Sequence, residues 1–182
     1  LPVIMEKTLE HYGRLDILVN NAGICPRCSA LEYTEEMWDQ IIQLNQKSVF
    51  FLSQLAARQF VKQKSRGKII NLASMMSFLG GFNTAAYTAS KSAVAGLTRV
   101  CASEWGALGI NVNALAPGWI KTGLSAALVA DTARYESVKA RIPMGDWGEP
   151  DVFKGVAVLL ASSASDYING AIIPVDGGYL TK

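Results

Sequence analysis

Short apolar runs alternate along the chain with longer stretches in which apolar residues recur every three or four positions. Residues 15–20 (LDILVN), 67–73 (GKIINLA), 110–116 (INVNALA) and 171–175 (AIIPV) are compact apolar runs bounded by turn residues, and they predict four strands. Helices are predicted over roughly 34–63, 85–106 and 149–162. In the first, Met37, Trp38, Ile41, Ile42, Leu44, Phe51, Leu52 and Leu55 fall at helical spacing, and Thr34 offers an N-cap oxygen. Pro150 suits the first turn of the last, where a missing amide hydrogen costs nothing. Residues 1–12 read as the end of an amphipathic helix carrying Val3, Ile4 and Leu9.

Strand and helix alternating without consecutive hairpins predict an α/β fold, a parallel sheet with helices covering it. In such sheets ligands sit outside the carboxyl ends of the strands. This directs attention to residues 21–23, Ser74 and 117–122. The stretch 121–146, poor in strand signal and placed after one such end, is expected to be a mobile cover over a ligand.

Composition narrows the function classes. The chain has 182 residues, half of them hydrophobic and 18% charged, enough for one compact domain but short for two. A net charge of +2 without basic runs gives little field for a polyanion, so neither nucleic acid nor an acidic membrane is expected as principal partner. No apolar stretch approaches the roughly 20 residues that span a bilayer. Three cysteines cannot all pair, and with no leader-like segment in view a cytosolic, reducing setting is expected.

Candidate chemistry lies at the strand ends. Tyr87 and Lys91 are one helical turn apart on one face, a pair that by itself reads more readily as a surface tyrosine beside a solvated lysine. Ser74 follows one predicted strand and Asn20-Asn21-Ala22-Gly23 follows another, the latter equally a plain turn. Cys25-Pro26-Arg27-Cys28 has the spacing of a redox pair or half a zinc site. Cys101 and His11 are the sole further Cys and His and do not arrive as a spaced pair, so no metal is expected. The loop is read as a border of the substrate site, with Arg27 its useful member.

Taken together these residues resemble the short-chain dehydrogenase/reductase family. The matching pieces are Asn20-Asn21-Ala22-Gly23, Asn45, Ser74, Tyr87-x-x-x-Lys91, Pro117-Gly118 with Thr122, and Val175-Asp176-Gly177-Gly178, in the family's order over essentially the whole chain. The resemblance implies a doubly wound, Rossmann-like parallel sheet with helices on both faces. It also implies an oxidoreductase moving a hydride between NAD, or NADP, and a secondary alcohol or ketone. Tyr87 would be the general acid or base, Lys91 its partner and a holder of the nicotinamide ribose, Ser74 the donor to the substrate oxygen, and Asn45 the holder of a water behind Lys91. An ammonium roughly 5 Å from the phenol would lower its pKa by about two units, worth about 3 kcal/mol. Asn21, Ala22, Gly23, Pro117, Gly118, Ile120 and Thr122 would border the dinucleotide, although Ile120 reads equally as core and Thr122 as a cap.

Within the family the chain is most similar to bacterial oxidoreductases of sugar acids, the group of 2-deoxy-D-gluconate 3-dehydrogenase and 2-dehydro-3-deoxy-D-gluconate 5-dehydrogenase. Residues 47–51, 68–81, 87–91 and 160–170 carry that likeness. A sugar acid brings a carboxylate, which Arg27 would receive. Other carbonyl substrates, such as a ketoacyl thioester or a secondary-metabolite ketone, and a non-catalytic role stand as alternatives. Asp146 stands where many relatives carry Arg. The family's opening strand and Thr-Gly-x-x-x-Gly-x-Gly turn have no counterpart here, so residues 1–182 read as the C-terminal three-quarters of a single domain, missing its first strands. Weak or absent dinucleotide binding is expected of these residues alone, since the phosphate-binding amides lie in that opening part. Apolar residues on several faces of the two long helices, among them Phe50, Phe51, Val94 and Trp105, predict a homodimer or homotetramer formed through them.

Overall fold

The computed structural model describes residues 1–181; Lys182, the last residue of the expected domain, lies outside them. Four parallel strands, β1 (Ile17–Asn20), β2 (Gly67–Leu72), β3 (Ile110–Pro117) and β4 (Ile172–Val175), lie side by side in chain order. Each matches a predicted run to within two residues at either end. Register is continuous: Ile17 to Asn20 face Lys68 to Asn71, and Gly67 to Leu72 face Ile110 to Leu115.

Neighbouring residues of a strand point to opposite faces, and the apolar side chains sort accordingly. Ile69, Ile110 and Val112 pack against Ala56, Ala57 and Phe60 of one helical segment and Cys101 and Ala102 of another. Ile70 and Leu115 face the other way, toward Leu160. Helices therefore cover both faces. α1 (Pro2–Tyr12), α3 (Ser48–Gln63) and α4 (Ala85–Trp105) lie on the first side and α7 (Lys154–Ala161) on the second. Ile17 and Val19 of edge strand β1 remain 41% and 52% exposed.

A ladder of buried amides ties the strand ends to the helices. Asn20 Nδ2 donates to Asn71 Oδ1 at 2.8 Å and to Ser53 Oγ at 3.0 Å, and Asn71 Nδ2 donates to Thr98 Oγ1 at 2.9 Å. In this apolar setting each satisfied bond fixes geometry, because leaving a buried amide unpaired is costly.

Three predicted elements differ in detail. The helix expected over 34–63 is α2 (Glu35–Ile42) and α3 joined through a π-helical stretch, Gln43–Lys47, centred on Asn45. The last helix begins as a 3-10 turn, Pro150–Phe153. Residues 121–146, expected to be a mobile cover, fold into a 3-10 turn (Gly123–Ser125) and two short helices, α5 (Ala126–Ala130) and α6 (Thr132–Lys139). Val138 and Ile142 anchor that segment among Met75, Met76, Trp119, Trp147 and Tyr179. Val94, expected on an outward face of α4, is fully buried among Val49, Ala73 and the β3 residues Ala114 and Ala116. Among the described residues no helix is long and apolar enough to cross a membrane.

Candidate active site

A cavity of about 570 Å³ opens at the carboxyl ends of the strands, where the chain order places the strand-to-helix connections. Asn21, Gly23, Arg27, Ser74, Tyr87, Lys91, Pro117, Gly118, Ile120 and Thr122 all line it. Of the residues singled out from the sequence, Ala22 and Asn45 do not line it.

Tyr87 and Lys91 stand one turn apart near the start of α4, with Nζ 5.7 Å from the centroid of the phenol ring. Lys91 is 4% exposed and its ammonium donates to the Leu72 carbonyl at the end of β2, 2.6 Å away. Burial pushes Tyr87 up to about 12, opposed mainly by Ser74, and pushes Lys91 down to about 8, opposed by Cys25. This corrects the expectation that the ammonium holds the phenol below its ordinary value. Both groups sit in a medium that disfavours charge, and desolvation is the largest influence on each.

Ser74 leaves β2 in extended conformation and caps the 3-10 turn Met75–Ser77, its Oγ accepting from Met76 N at 3.1 Å. The cap fixes the hydroxyl on the wall facing Tyr87. Asn45 lies behind, fully buried. Its Oδ1 accepts from Ile24 N at 2.9 Å, while Nδ2 donates to Ile24 O at 2.8 Å and to Ser90 Oγ at 3.3 Å. The side chain thus clamps the loop after β1 to the turn of α4 between Tyr87 and Lys91. The π-helical stretch is the backbone feature that carries it inward, as such bulges often do at functional sites.

Gly23 is held against this clamp. A Cβ there would lie 3.3 Å from Asn45 Oδ1 and 3.7 Å from Lys91 Nζ, so glycine keeps the space in front of the lysine open. Gly118 is needed for another close approach: its Cβ would fall 2.6 Å from Asp176 Cα. Asp176 accepts from Gly178 N and Leu180 N, both at 2.9 Å, and this fastens the end of β4 beside that of β3. Ile120 is 9% exposed and pairs with Gly148, while Ser125 Oγ accepts from Thr122 N and donates to Ile120 O. Ile120 and Thr122 therefore serve both the packing and the cavity wall.

The Cys25–Cys28 loop borders the cavity through Cys25 and Arg27, and the three cysteines are free thiols. Burial raises the Cys25 thiol, opposed by Arg27 and Lys91. Among the described residues no cluster of three or more metal-ligating side chains forms. Arg27 is exposed, its Nη1 3.5 Å from the Phe82 carbonyl. Asp146 lies away from the cavity wall, accepting from Tyr135 and the Trp147 amide.

Cys25 and Trp119, within stretches the sequence pointed to, also line the cavity, as do Met75, Met76, Leu124, Leu128 and Phe153, which the sequence reading missed. All but the cysteine are apolar or aromatic and read as core from their pattern. Knowing which strand end it follows is the one signal that picks out Met75 among the missed residues.

Comparison with known proteins agrees with this arrangement. A family model described as Enoyl-(Acyl carrier protein) reductase matches residues 2–180. The 2-dehydro-3-deoxy-D-gluconate 5-dehydrogenase of Dickeya dadantii is 55% identical over 179 residues, covering 98% of this chain and 71% of the relative. That of Escherichia coli is 51% identical over 182 residues, covering 100% and 72%. A solved gluconate 5-dehydrogenase from Burkholderia cenocepacia, in complex with NADP and tartrate, superposes with a TM-score of 0.94 at 39% identity, covering 97% of this chain and 69% of its own. With its parallel sheet, its Ser74–Tyr87–Lys91 constellation and these relatives, the chain belongs to the short-chain dehydrogenase/reductase family of oxidoreductases.

Proposed function

We propose that this protein interconverts a hydroxyl and a keto group on a sugar acid of the gluconate type, with Tyr87 as proton donor and acceptor. The observation that carries the reading is the convergence of Ser74, Tyr87 and Lys91 on one cavity whose rim holds the exposed cation Arg27. Names of the relatives, deoxy-gluconate and gluconate dehydrogenases, support the substrate class.

The residues fit the nicotinamide end of NAD or NADP: Gly23 leaves an open approach in front of Lys91, and Ile120 and Thr122 lie on the same wall. The bound dinucleotide supplies or accepts the hydride. Ser74 donates to the carbonyl oxygen and fixes it beside the phenol. Tyr87 gives its proton to that oxygen as the carbonyl is reduced, and takes it back in the oxidative direction. A neutral phenol suits the acid role at pH 7. Charge developing on the phenol oxygen is balanced by Lys91, whose donors beyond the one given to Leu72 would hold ribose hydroxyls. Asn45 positions both through its clamp on Ile24 and Ser90.

Arg27 receives the substrate carboxylate, since a guanidinium pairs with it through two parallel bonds. Residues 1–181 supply most of one Rossmann-like domain, and the outward residues of the long helices, with Phe51 41% and Val100 50% exposed, are the surface for pairing with a second copy. Three free thiols accord with a reducing, cytosolic setting.

Steady-state assays with 5-keto-D-gluconate, D-gluconate and simple ketones, using NADH and NADPH, test the reading. Tyr87→Phe is expected to lower kcat by roughly 10²- to 10⁴-fold. Arg27→Ala is expected to raise KM for the acids about tenfold or more while sparing an uncharged ketone. Equal turnover by Tyr87→Phe and the unaltered protein would overturn the mechanism, and an unchanged KM in Arg27→Ala would overturn the carboxylate assignment.

A further inference from the structure

Ser74 and Tyr87 serve one substrate oxygen, yet they stand on different elements. Ser74 opens the 3-10 turn Met75–Ser77 after β2, and Tyr87 rides on α4. Neither element by itself fixes the gap between the two hydroxyls. Lys91 is bonded at both of its ends to the segment that carries Ser74. Its ammonium donates to Leu72 O, just before Ser74, at 2.6 Å, and its backbone carbonyl accepts from Ser77 Oγ, at the far end of the turn, also at 2.6 Å. The Ser77 amide in turn donates to Ser74 O at 2.9 Å. Ser77 thus holds the backbone of Ser74 with one group and that of Lys91 with the other.

Backbone satisfaction does not account for the hydroxyl bond. Lys91 lies inside α4, where its carbonyl already has the amide one helical turn on, and Ser77 takes the second lone pair. Ser77 is only partly buried, so its hydroxyl has water as an alternative partner. It stands outside the cavity lining and does not meet the substrate directly. What the bond does is hold the turn against the helix. A second tie, Ser92 Oγ to Met76 O, is longer at 3.4 Å and comes from an exposed residue, so it holds less firmly. We propose that Ser77 is a positioning residue for the reaction: its hydroxyl, on the Lys91 carbonyl, keeps the turn that presents Ser74 in register with the helix that presents Tyr87. The proposal rests on the mechanism above, in which Ser74 and Tyr87 serve the same oxygen. Misplacing a reacting group by about 1 Å can cost on the order of a hundredfold in rate.

Whether Ser77 acts through Ser74 is read by comparing two backgrounds. Steady-state reduction of 5-keto-D-gluconate by NADPH is measured for the unaltered protein, Ser77→Ala, Ser74→Ala and the double variant. Ser77→Ala is expected to lower kcat about tenfold while KM for the acid stays within about twofold. In the Ser74→Ala background the same change is expected to cost less than about twofold, since no hydroxyl remains to be placed. A serine that only stabilised the fold would cost the same factor in both backgrounds. Equal losses in the two backgrounds, or no loss in either, overturn the proposal and leave the mechanism intact. If Ser74→Ala turns over like the unaltered protein, the mechanism falls and the proposal with it. Amide exchange gives a readout free of turnover: Ser77→Ala is expected to lower protection severalfold at residues 76–78 and to leave residues 98–105 of α4 unchanged. Unchanged protection at 76–78 overturns the proposal. Where the unaltered protein does not reduce the acid, the sugar-acid reading falls and the exchange result alone decides the proposal.

Discussion

Lys91 Nζ and the Leu72 carbonyl oxygen are 2.6 Å apart, so helix α4 is tied to the carboxyl end of β2 by the same ammonium that stands beside Tyr87. Holding a charge there is unfavourable: burial brings the lysine from 10.5 down to about 8. Because the folded value lies below the unfolded one, the deficit is fully present below about pH 8 and fades as pH rises toward 10.5.

Lys91→Met is therefore expected to be inactive yet more stable at pH 7, by on the order of 1–3 kcal/mol after allowing for the orphaned Leu72 carbonyl. Denaturant unfolding at pH 7 and pH 10 checks this. The gain shrinks at the higher pH, where the native lysine has lost its proton. A variant less stable than the unaltered protein at both pH values would show that the bond to Leu72 outweighs the buried charge.

Asn45 meets both backbone groups of Ile24 and reaches Ser90 as well. Asn45→Leu keeps the number and branching of the side-chain heavy atoms and removes all three bonds, leaving a part-buried amide and carbonyl unpaired. A loss of about 2–4 kcal/mol follows, seen as a lower urea midpoint with an unchanged slope. Asn45→Asp keeps the acceptor for Ile24 N but cannot donate, so activity is expected to fall even under conditions where the variant is fully folded.

At Gly23 the added methyl of Gly23→Ala meets Asn45 Oδ1 at 3.3 Å and Lys91 Nζ at 3.7 Å. Neither contact is prohibitive for folding, so the melting temperature is expected to change little. The methyl does occupy the approach to Lys91, and affinity for NADPH is expected to weaken by roughly tenfold in a fluorescence titration of the active enzyme. Unchanged affinity would place the dinucleotide elsewhere on the cavity wall.

Four strands and three of the main helices were legible because each apolar run is bracketed by turn residues, and because parallel pairing puts every run's end on one edge. Convergence of Ser74, Tyr87 and Lys91 on one cavity follows from that edge. The π-helical stretch was not legible: Gln43–Lys47 has ordinary helical residues, and its geometry is explained by the tertiary bonds of Asn45. The direction of the Tyr87 shift was also missed. Spacing along a helix tells how near Lys91 stands, but not that its ammonium turns to Leu72 or that Lys91 is buried and Tyr87 partly so. Residues 121–146 looked loop-like because their helices are short, while Val138 and Ile142 find their partners only in space.

That segment is fastened at one seam, which gives a final expected outcome. Tyr135 OH donates to Asp146 Oδ1 at 2.5 Å, its ring stacks on Trp147 at 5.4 Å, and Lys121 reaches Asp146 at 3.8 Å and Glu149 at 3.0 Å. The acid at position 146 thus joins the two ends of the cavity's cover, where an arginine would face Lys121 with like charge. Tyr135 and the Trp147 amide, in that order, hold the Asp146 carboxyl below its ordinary 3.8. The stabilisation is present above that value and is lost as pH falls through the lower, folded one. Asp146 and Glu149 are exposed and Tyr135 and Lys121 partly so, so global stability is expected to move little. Local opening should move more, because Leu124 and Leu128 of the cover line the cavity. Tyr135→Phe and Asp146→Asn are each expected to speed amide hydrogen exchange across 124–139 and to raise KM for 5-keto-D-gluconate severalfold. Exchange within α4 should remain unchanged. If exchange and KM both stay at the values of the unaltered protein in both variants, the seam does not hold the cover and its anchorage lies in Val138 and Ile142 alone.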